Sequence, residues 1–189
     1  MIGITIRKEL IGFITIVVWF IILIFKKIKH KKLYFKHEAF VFITMIYILF
    51  VLGVTLFPID ITWVKEYIPP RNVIINLNPF NLIEIFKEAG FKFVIINVFG
   101  NIALLVPAGI LISYKKKQIS YIKLFKIGFL ITISIEVTQG IEMYFRLVFG
   151  RSIDINDVIF NIIGILVGKF IYDNLLKNFV DKKLLYLDN

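Results

Sequence analysis

Long apolar runs separated by charged clusters dominate the chain. Two runs, at 39–59 and 93–114, carry no charged residue or histidine over the roughly 20 residues that a helix needs to cross a bilayer. A shorter run at 10–25 is followed by lysines where a signal peptide would have small residues, so we interpret it as an uncleaved span. Runs at 127–141 and 153–172 are apolar apart from isolated charges. The pattern predicts an all-α, polytopic membrane bundle of about five transmembrane helices.

Composition supports a membrane protein. Hydrophobic residues make up 59% of the 189 residues, and the mean hydropathy is +0.85. The core of a soluble domain this small does not bury so much apolar surface, so we expect a single membrane domain over 1–189. There is no cysteine, which excludes disulfides, thiolate nucleophiles and cysteine-based metal sites.

The distribution of charge orients the chain. The net charge is +10, and fifteen of the 23 Lys and Arg residues lie in 26–38, 113–126 and the tail from Lys169, together with only four acidic residues. The positive-inside rule places these three segments in the cytoplasm, with the N-terminus outside and the C-terminus inside. Because the basic clusters are short and lie between spans, they are typical of topology determinants, and we expect no nucleic-acid partner.

The segment 58–92 follows the second span on the predicted outer side. It is too apolar for a free loop and has too many breakers and charges to cross the bilayer. We interpret it as an interfacial or re-entrant segment with Trp63 as an aromatic anchor. Residues 81–89 are predicted to form a short amphipathic helix capped by Asn81.

Polar residues interrupt the last three predicted spans at a similar depth. Asn97 and Asn101 are four residues apart and share one helix face, beside Gly100, which would allow close helix approach. A charged carboxylate at the centre of a bilayer costs about 2.5–3.5 kcal/mol, so Glu136 demands a partner. Six side chains are directed to the same outer leaflet: Asn97, Asn101, Glu136, Gln139, Asp157 and Asn161.

Charged residues at the mouth of the last span complete the predicted pocket. Arg151 is the expected positive partner, with Arg71 and Arg146 in reserve, and Asp154 or Asn156 would cap the helix. The alternative is structural: amides join the helices and Glu136–Arg151 is an internal ion pair.

Two further expectations concern single pairs of residues. Glu142 and Arg146 are four apart and are expected to form an exposed surface pair. Gly164 and Gly168 let another helix pack closely and would support a homodimer.

The ordered set of motifs resembles the VanZ-like family of membrane proteins over residues 76–168, about half of the chain. The motifs are Asn76-Leu77-x-Pro79-Phe80, Asn97-x-x-Gly100-Asn101-x5-Pro107-x-Gly109, Glu136-x-x-Gln139, and Arg151-x-x-Asp154-x-x-Asp157-x3-Asn161-x-x-Gly164-x3-Gly168. Leu105, Ala108 and Asn156 depart from the family pattern without removing a charged motif residue. The resemblance implies a bacterial plasma-membrane protein, in a family whose namesake is associated with low-level resistance to the glycopeptide teicoplanin.

The first functional hypothesis is binding without turnover. Membrane lipids surround the pocket, and an outer-leaflet lipid-linked or cell-wall-precursor head group would occupy it. Arg151 would contact phosphate, while Glu136 and Asp157 orient it. The hydrogen-bonding residues for sugar or amide groups would be Asn97, Asn101, Gln139 and Asn161.

The second hypothesis is an intramembrane enzyme acting on a lipid-linked substrate. Glu136 would be the general base, and Arg151 would stabilise the phosphoryl charge. Asp154 and Asp157 would hold a divalent cation, the candidate cofactor, with Asn161 as an oxygen ligand. A transporter is disfavoured because five spans without a convincing repeat make a poor permeation path.

Overall fold

The computed structural model describes residues 3–6, 8–29, 35–62, 73–148 and 151–178. Helices form most of these residues, and four short strands lie between them. In chain order the elements are β1 (Gly3–Ile6), α1 (Lys8–Ile28), α2 (Phe35–Thr55), β2 (Ile59–Thr62), β3 (Ile75–Asn76), α3 (Asn81–Ala89), α4 (Phe91–Lys115), α5 (Tyr121–Tyr144), β4 (Ile153–Asp154) and α6 (Ile155–Ile171), which continues as a π-helical turn over Tyr172–Leu176.

Four of the described helices are long and apolar enough to cross a membrane. They are Glu38–Thr55 within α2, Phe91–Lys115, Tyr121–Tyr144 and Ile155–Leu176. The predicted all-α membrane bundle is therefore confirmed. A helix also forms at the first predicted span, 10–25, as α1, but it is not among these four.

Short β-ladders join parts of the chain that the sequence pattern treated as loops. Strand β1 pairs antiparallel with β2, and β3 pairs in parallel with β4. These strands are two or four residues long and contain isoleucine. They are too short for an alternating pattern of polar and apolar residues to distinguish them from the surrounding apolar segments. In the second ladder, Asn76 lies opposite Asp154, so two residues that are 78 positions apart in the chain come into contact.

Helix α3 forms where the sequence predicts it, but its start differs. The residue before it, Phe80, makes no side-chain cap. The turn is closed by Asn78 instead, whose Oδ1 accepts from Phe80 N at 3.0 Å and whose carbonyl accepts from Asn81 N at 3.1 Å. The cap predicted at Asn81 is therefore wrong, because the Asn78 turn places Asn81 inside the first helical turn.

The apolar side of α3 is exposed. No residue of this helix is buried. The large apolar side chains exposed on it and just before it are Leu77, Phe80, Ile83 and Phe86. This surface suits the predicted position in the membrane interface, where apolar side chains enter the acyl boundary. Trp63 and Arg71 lie outside the described residues.

The chain divides into two compact units. The first comprises 1–73 and 138–151, and the second comprises 74–137 and 152–189. The first unit contains β1, α1, α2 and β2. The second contains β3, α3, α4, most of α5, β4 and α6, and it carries the acidic residues of the predicted pocket, Glu136, Asp154 and Asp157.

Backbone-to-backbone packing of α4 on α6 forms the centre of the second unit. A Cβ atom on Gly164 would collide with the carbonyl oxygen of Ile102, and one on Gly168 with the carbonyl oxygen of Val106. On the facing helix, a Cβ on Gly109 would collide with the carbonyl of Ile165. In these contacts the residue numbers increase in the same direction along α4 and α6, so the two helices run parallel.

The glycine face expected to support a homodimer is therefore covered by α4 of the same chain. The oligomeric state itself stays a prediction. Gly100, expected to allow close approach, has open space: a Cβ there meets no described atom within 4 Å. The close approach lies two to nine residues further along α4, at Ile102, Val106 and Gly109.

Helix α5 packs antiparallel against α6 and completes the core. Gly128 faces the side chain of Ile165, and Thr132 contacts Asn161 one turn further towards the C-terminal end of α5. Leu105, Leu124 and Ile165, one from each helix, are at most 1% exposed. Each helix therefore keeps one face inside the unit and leaves apolar side chains on the other, as expected for helices in lipid.

We expect Gly164→Ala or Gly168→Ala to destabilise the protein by about 1–3 kcal/mol, because the added methyl group meets backbone that cannot rotate away. Gly100→Ala is the matched control, and it should be neutral or slightly stabilising because alanine has the higher helix propensity. Thermal unfolding of the detergent-purified chain measures both. Equal loss in all three variants would contradict the packing described here.

The topology predicts opposite sides for the two ends of α4. Single cysteines at Glu84 and Gln118, both exposed, report on α3 and on the α4–α5 turn in a chain with no native thiol. We expect a membrane-impermeant maleimide to label Glu84→Cys in intact cells and Gln118→Cys only after permeabilisation. Labelling of both from the same side would contradict the assignment of α4 as a span.

Candidate functional site

Three elements of the second unit bring carboxyl groups together. Glu136 comes from α5, Asp154 ends β4 and Asp157 lies in the first turn of α6. We call these three residues the acidic cluster. Glu136 is only 2% exposed, and its Oε2 accepts from the backbone nitrogen of Asp154 at 2.9 Å. Each of the three carboxyl groups interacts electrostatically with the other two, so the cluster gathers three acidic side chains at one place in the second unit.

Asp154 positions the start of α6. Its Oδ1 accepts from the backbone nitrogen of Asn156 at 2.8 Å, which is the N-cap contact. Its Oδ2 accepts from Asn76 Nδ2, also at 2.8 Å. The sequence prediction that Asp154 or Asn156 caps this helix is confirmed for Asp154.

The amides of α4 reach the cluster through Asp157. Asn101 Nδ2 donates to Asp157 Oδ1 and lies 3.3 Å from Asn97 Oδ1. The four-residue spacing thus places both amides on one face, as predicted. The parallel packing of α4 on α6 directs that face towards Asp157.

A buried amide–hydroxyl pair lies deeper between α5 and α6. Asn161 Nδ2 donates to Thr132 Oγ1 at 3.0 Å, and the two residues are 2% and 0% exposed. Two further buried polar atoms, Asn161 Oδ1 and Asn156 Nδ2, have no hydrogen-bond partner among the described residues. Unsatisfied buried groups cost about 1–3 kcal/mol each, so they are available to a ligand or to water.

Sequence reasoning missed two members of this network as site residues. Asn76 stands in a motif of the predicted family, but its distance from Asp154 in the chain concealed their contact. Thr132 carries no signal, because an isolated threonine in an apolar helix ordinarily bonds to its own backbone. Only the antiparallel register of α5 and α6 directs its hydroxyl to Asn161.

The predicted cation site gains no additional ligand from the structure. Within the described residues, no group of three or more acidic or histidine side chains is arranged to hold a metal ion. Both oxygens of Asp154 already accept hydrogen bonds, and Asp157 accepts one from Asn101. A divalent cation at Asp154 and Asp157, with Asn161, stays a prediction that would require these bonds to rearrange.

The remaining predicted site residues belong to the first unit. Gln139 Nε2 donates to the carbonyl of Thr55 at 2.8 Å, and Arg151 Nη2 donates to the carbonyl of Phe57 at 3.1 Å. These bonds satisfy carbonyls at and just beyond the end of α2. The predicted pairing of Arg151 with Glu136 and Asp157 stays a prediction.

The prediction made for Glu142 is wrong. We expected an exposed pair with Arg146, but Glu142 is 5% exposed and interacts electrostatically with Arg151. Helix α5 ends at Tyr144, and Arg146 has a φ of 61°, so the chain turns before a helical pair can form. The four-residue spacing predicts a surface pair only where the helix continues.

Comparison with protein families gives one match. The family model described as VanZ/LLP1 matches residues 40–177, most of the chain. The matched range includes the acidic cluster and its amides. No curated protein and no solved structure matches the chain.

Two substitutions of Asp154 distinguish the contribution of its capping hydrogen bond to stability from that of its charge. Asp154→Ala removes the cap and the Asn76 contact, so we expect a loss of about 1–3 kcal/mol. Asp154→Asn retains a good capping oxygen and should lose less. Thermal unfolding measures both, and an alanine variant as stable as the asparagine variant would contradict the capping role.

Proposed function

The chain belongs to the VanZ/LLP1 family, and on that premise we propose that it binds an outer-leaflet lipid-linked cell-wall-precursor head group. The acidic cluster and its amides form the binding pocket. Occupation of this head group lowers the susceptibility of a bacterium to teicoplanin. The protein acts in the plasma membrane, with its N-terminus outside and its C-terminus in the cytoplasm.

One observation carries the proposal: three carboxyl groups from three elements meet beside amides, and two of them, Glu136 and Asp157, lie in helices long and apolar enough to cross a membrane. Carboxylates are costly there, and like charges brought together repel. Neutral amides alone would join the helices at lower cost. Retaining three acids is favourable if a ligand supplies donors to them.

The chemistry of the residues suits a sugar or peptide head group. Carboxylates accept hydrogen bonds from hydroxyl and amide groups more strongly than neutral acceptors do. Asn76 and Asn101 orient Asp154 and Asp157 by donating to them. The unpartnered Asn161 Oδ1 adds an acceptor.

Binding explains an effect on a lipid-tailed glycopeptide. A lipid tail holds the antibiotic at the membrane surface, where it meets the same lipid-linked head group. A membrane protein that occupies this head group competes at that surface, so the antibiotic reaches less of its target.

The alternative is an intramembrane enzyme on the same ligand. It is favoured by the burial of Glu136 beside two other carboxyl groups, an arrangement that suits a general base. Asp154 and Asp157 would then hold a cation.

Isosteric variants test the proposal in a teicoplanin-sensitive host expressing the full chain. Glu136→Gln and Asp157→Asn keep the shape of the side chain and remove its charge. We expect each to weaken head-group binding about tenfold or more, as for the loss of a buried charged partner, and to lose most of the resistance. Glu88→Gln, an exposed change of the same chemistry on α3, should behave as wild type. Membrane expression is measured for every variant.

Binding of a labelled lipid-linked precursor to the purified chain separates the two functions. Loss of binding together with resistance supports the pocket. Retained binding with lost resistance and loss of a reaction product favours the enzyme. Full resistance in both isosteric variants at wild-type expression would overturn both.

A further inference from the structure

A second polar site lies at the other end of the second unit. A cavity of about 760 Å³ opens where α4 ends and α5 begins. The residues that line it are Lys115, Lys116, Lys117, Gln118, Ile119, Lys123, Lys126 and Ile127. We call this cavity the lysine pocket. Asn101 and Lys115 are 14 residues apart on α4, so about 21 Å of helix separates the lysine pocket from the acidic cluster.

The turn that forms the pocket is well anchored. Ile119 and Leu124 are buried, at 8% and 0% exposed. Ile119 N donates to the carbonyl of Lys116 at 2.8 Å, and Ser120 Oγ accepts from Lys123 N at 3.3 Å. The lysines are therefore presented by a folded turn rather than by a free loop.

Helix polarity explains only part of the pocket's charge. Lys115 lies at the C-terminal end of α4, where the helix dipole favours cations. Lys123 and Lys126 lie in the first two turns of α5, where the dipole disfavours them, and the first turn of α5 contains no acidic residue. The spacing of Lys123, Lys126 and Ile127 places all three on one helix face. An anion in the pocket would offset the unfavourable position of the two α5 lysines.

None of the described residues that line the pocket is acidic. Nearby, the Nζ of the buried Lys169 lies 2.8 Å from Asp173 and 4.9 Å above the ring centre of Tyr121. A concave wall of one charge concentrates its field on counter-ions.

The residues beside the pocket are of the types found at membrane–water interfaces. Tyr114 and Tyr121 flank it and are both exposed, as tyrosines are at membrane–water interfaces. Ile119 and Ile127 add an apolar side to the wall. Each lysine near an anionic membrane surface strengthens binding by about fivefold.

From this geometry we propose that the lysine pocket binds the phosphate head group of an anionic phospholipid in the leaflet opposite the acidic cluster. The lysine ammonium groups contact the phosphate, and the isoleucines contact the start of the acyl chains. This site is independent of the proposed precursor binding, and neither requires the other.

The test uses the detergent-purified full chain and measures binding of phosphatidylglycerol, phosphatidylcholine and inorganic phosphate at low salt. We expect phosphatidylglycerol to bind at least tenfold more tightly than phosphatidylcholine, and this preference to weaken as salt screens the charges. Inorganic phosphate should compete only weakly, because it lacks the apolar part. Binding of inorganic phosphate as tight as that of the lipid would overturn the assignment to a lipid.

A double variant, Lys123→Gln with Lys126→Gln, removes the two α5 charges. It should weaken phosphatidylglycerol binding by roughly ten- to thirtyfold. The control is Lys87→Gln with Lys92→Gln, two exposed lysines outside the pocket with the same change in net charge, and it should change binding less than threefold. The conservative pair Lys123→Arg with Lys126→Arg should retain binding.

Comparable losses in the pocket and control variants would overturn the proposal, because binding would then follow net charge alone. Wild-type binding in the glutamine pair would overturn it as well. Thermal unfolding and maleimide labelling at Gln118→Cys verify that each variant keeps its fold and orientation, so a loss of binding is assigned to the pocket.

Discussion

The close parallel approach of α4 and α6 is the constraint on which the second unit depends. Gly164 and Gly168 rest on the carbonyl oxygens of Ile102 and Val106, where any side chain would collide. This contact fixes the register of the two helices. Asn101, the residue before Ile102, then reaches Asp157, which lies two turns before Gly164. The polar site is thus a consequence of how closely two backbones pack.

The three carboxyl groups of the acidic cluster are held by donors that come from distant parts of the chain. The backbone nitrogen of Asp154 donates to Glu136, Asn76 donates to Asp154, and Asn101 donates to Asp157. Each of these bonds lowers the cost of placing an acid in an apolar environment. The two-residue ladder between β3 and β4 matters for this reason: it brings Asn76 to the start of α6. The same small ladder thereby links a loop outside the helices to the site.

The two ends of the second unit have opposite chemistry. Acids and amides gather where α4 and α6 begin, and five lysines gather where α4 ends and α5 begins. The positive-inside rule accounts for the sign of this difference but not for a cavity. A membrane protein with a head-group site at each face would contact a precursor on one side and an anionic lipid on the other. The VanZ/LLP1 family membership and the four span-length helices set both proposals in a membrane.

Periodicity and residue type determined the helices, the polar face shared by Asn97 and Asn101, and the cap at Asp154, because each depends on neighbours within about one turn of helix. Tertiary structure alone decided which faces meet. It directed Gly164 and Gly168 to α4 of the same chain, paired Thr132 with Asn161, and brought Asn76 to Asp154. It also buried Glu142 in the last turn of α5, which ends before Arg146. These contacts join residues from nine to 78 positions apart. No local pattern encodes them, since they follow from helix register and from where each helix stops.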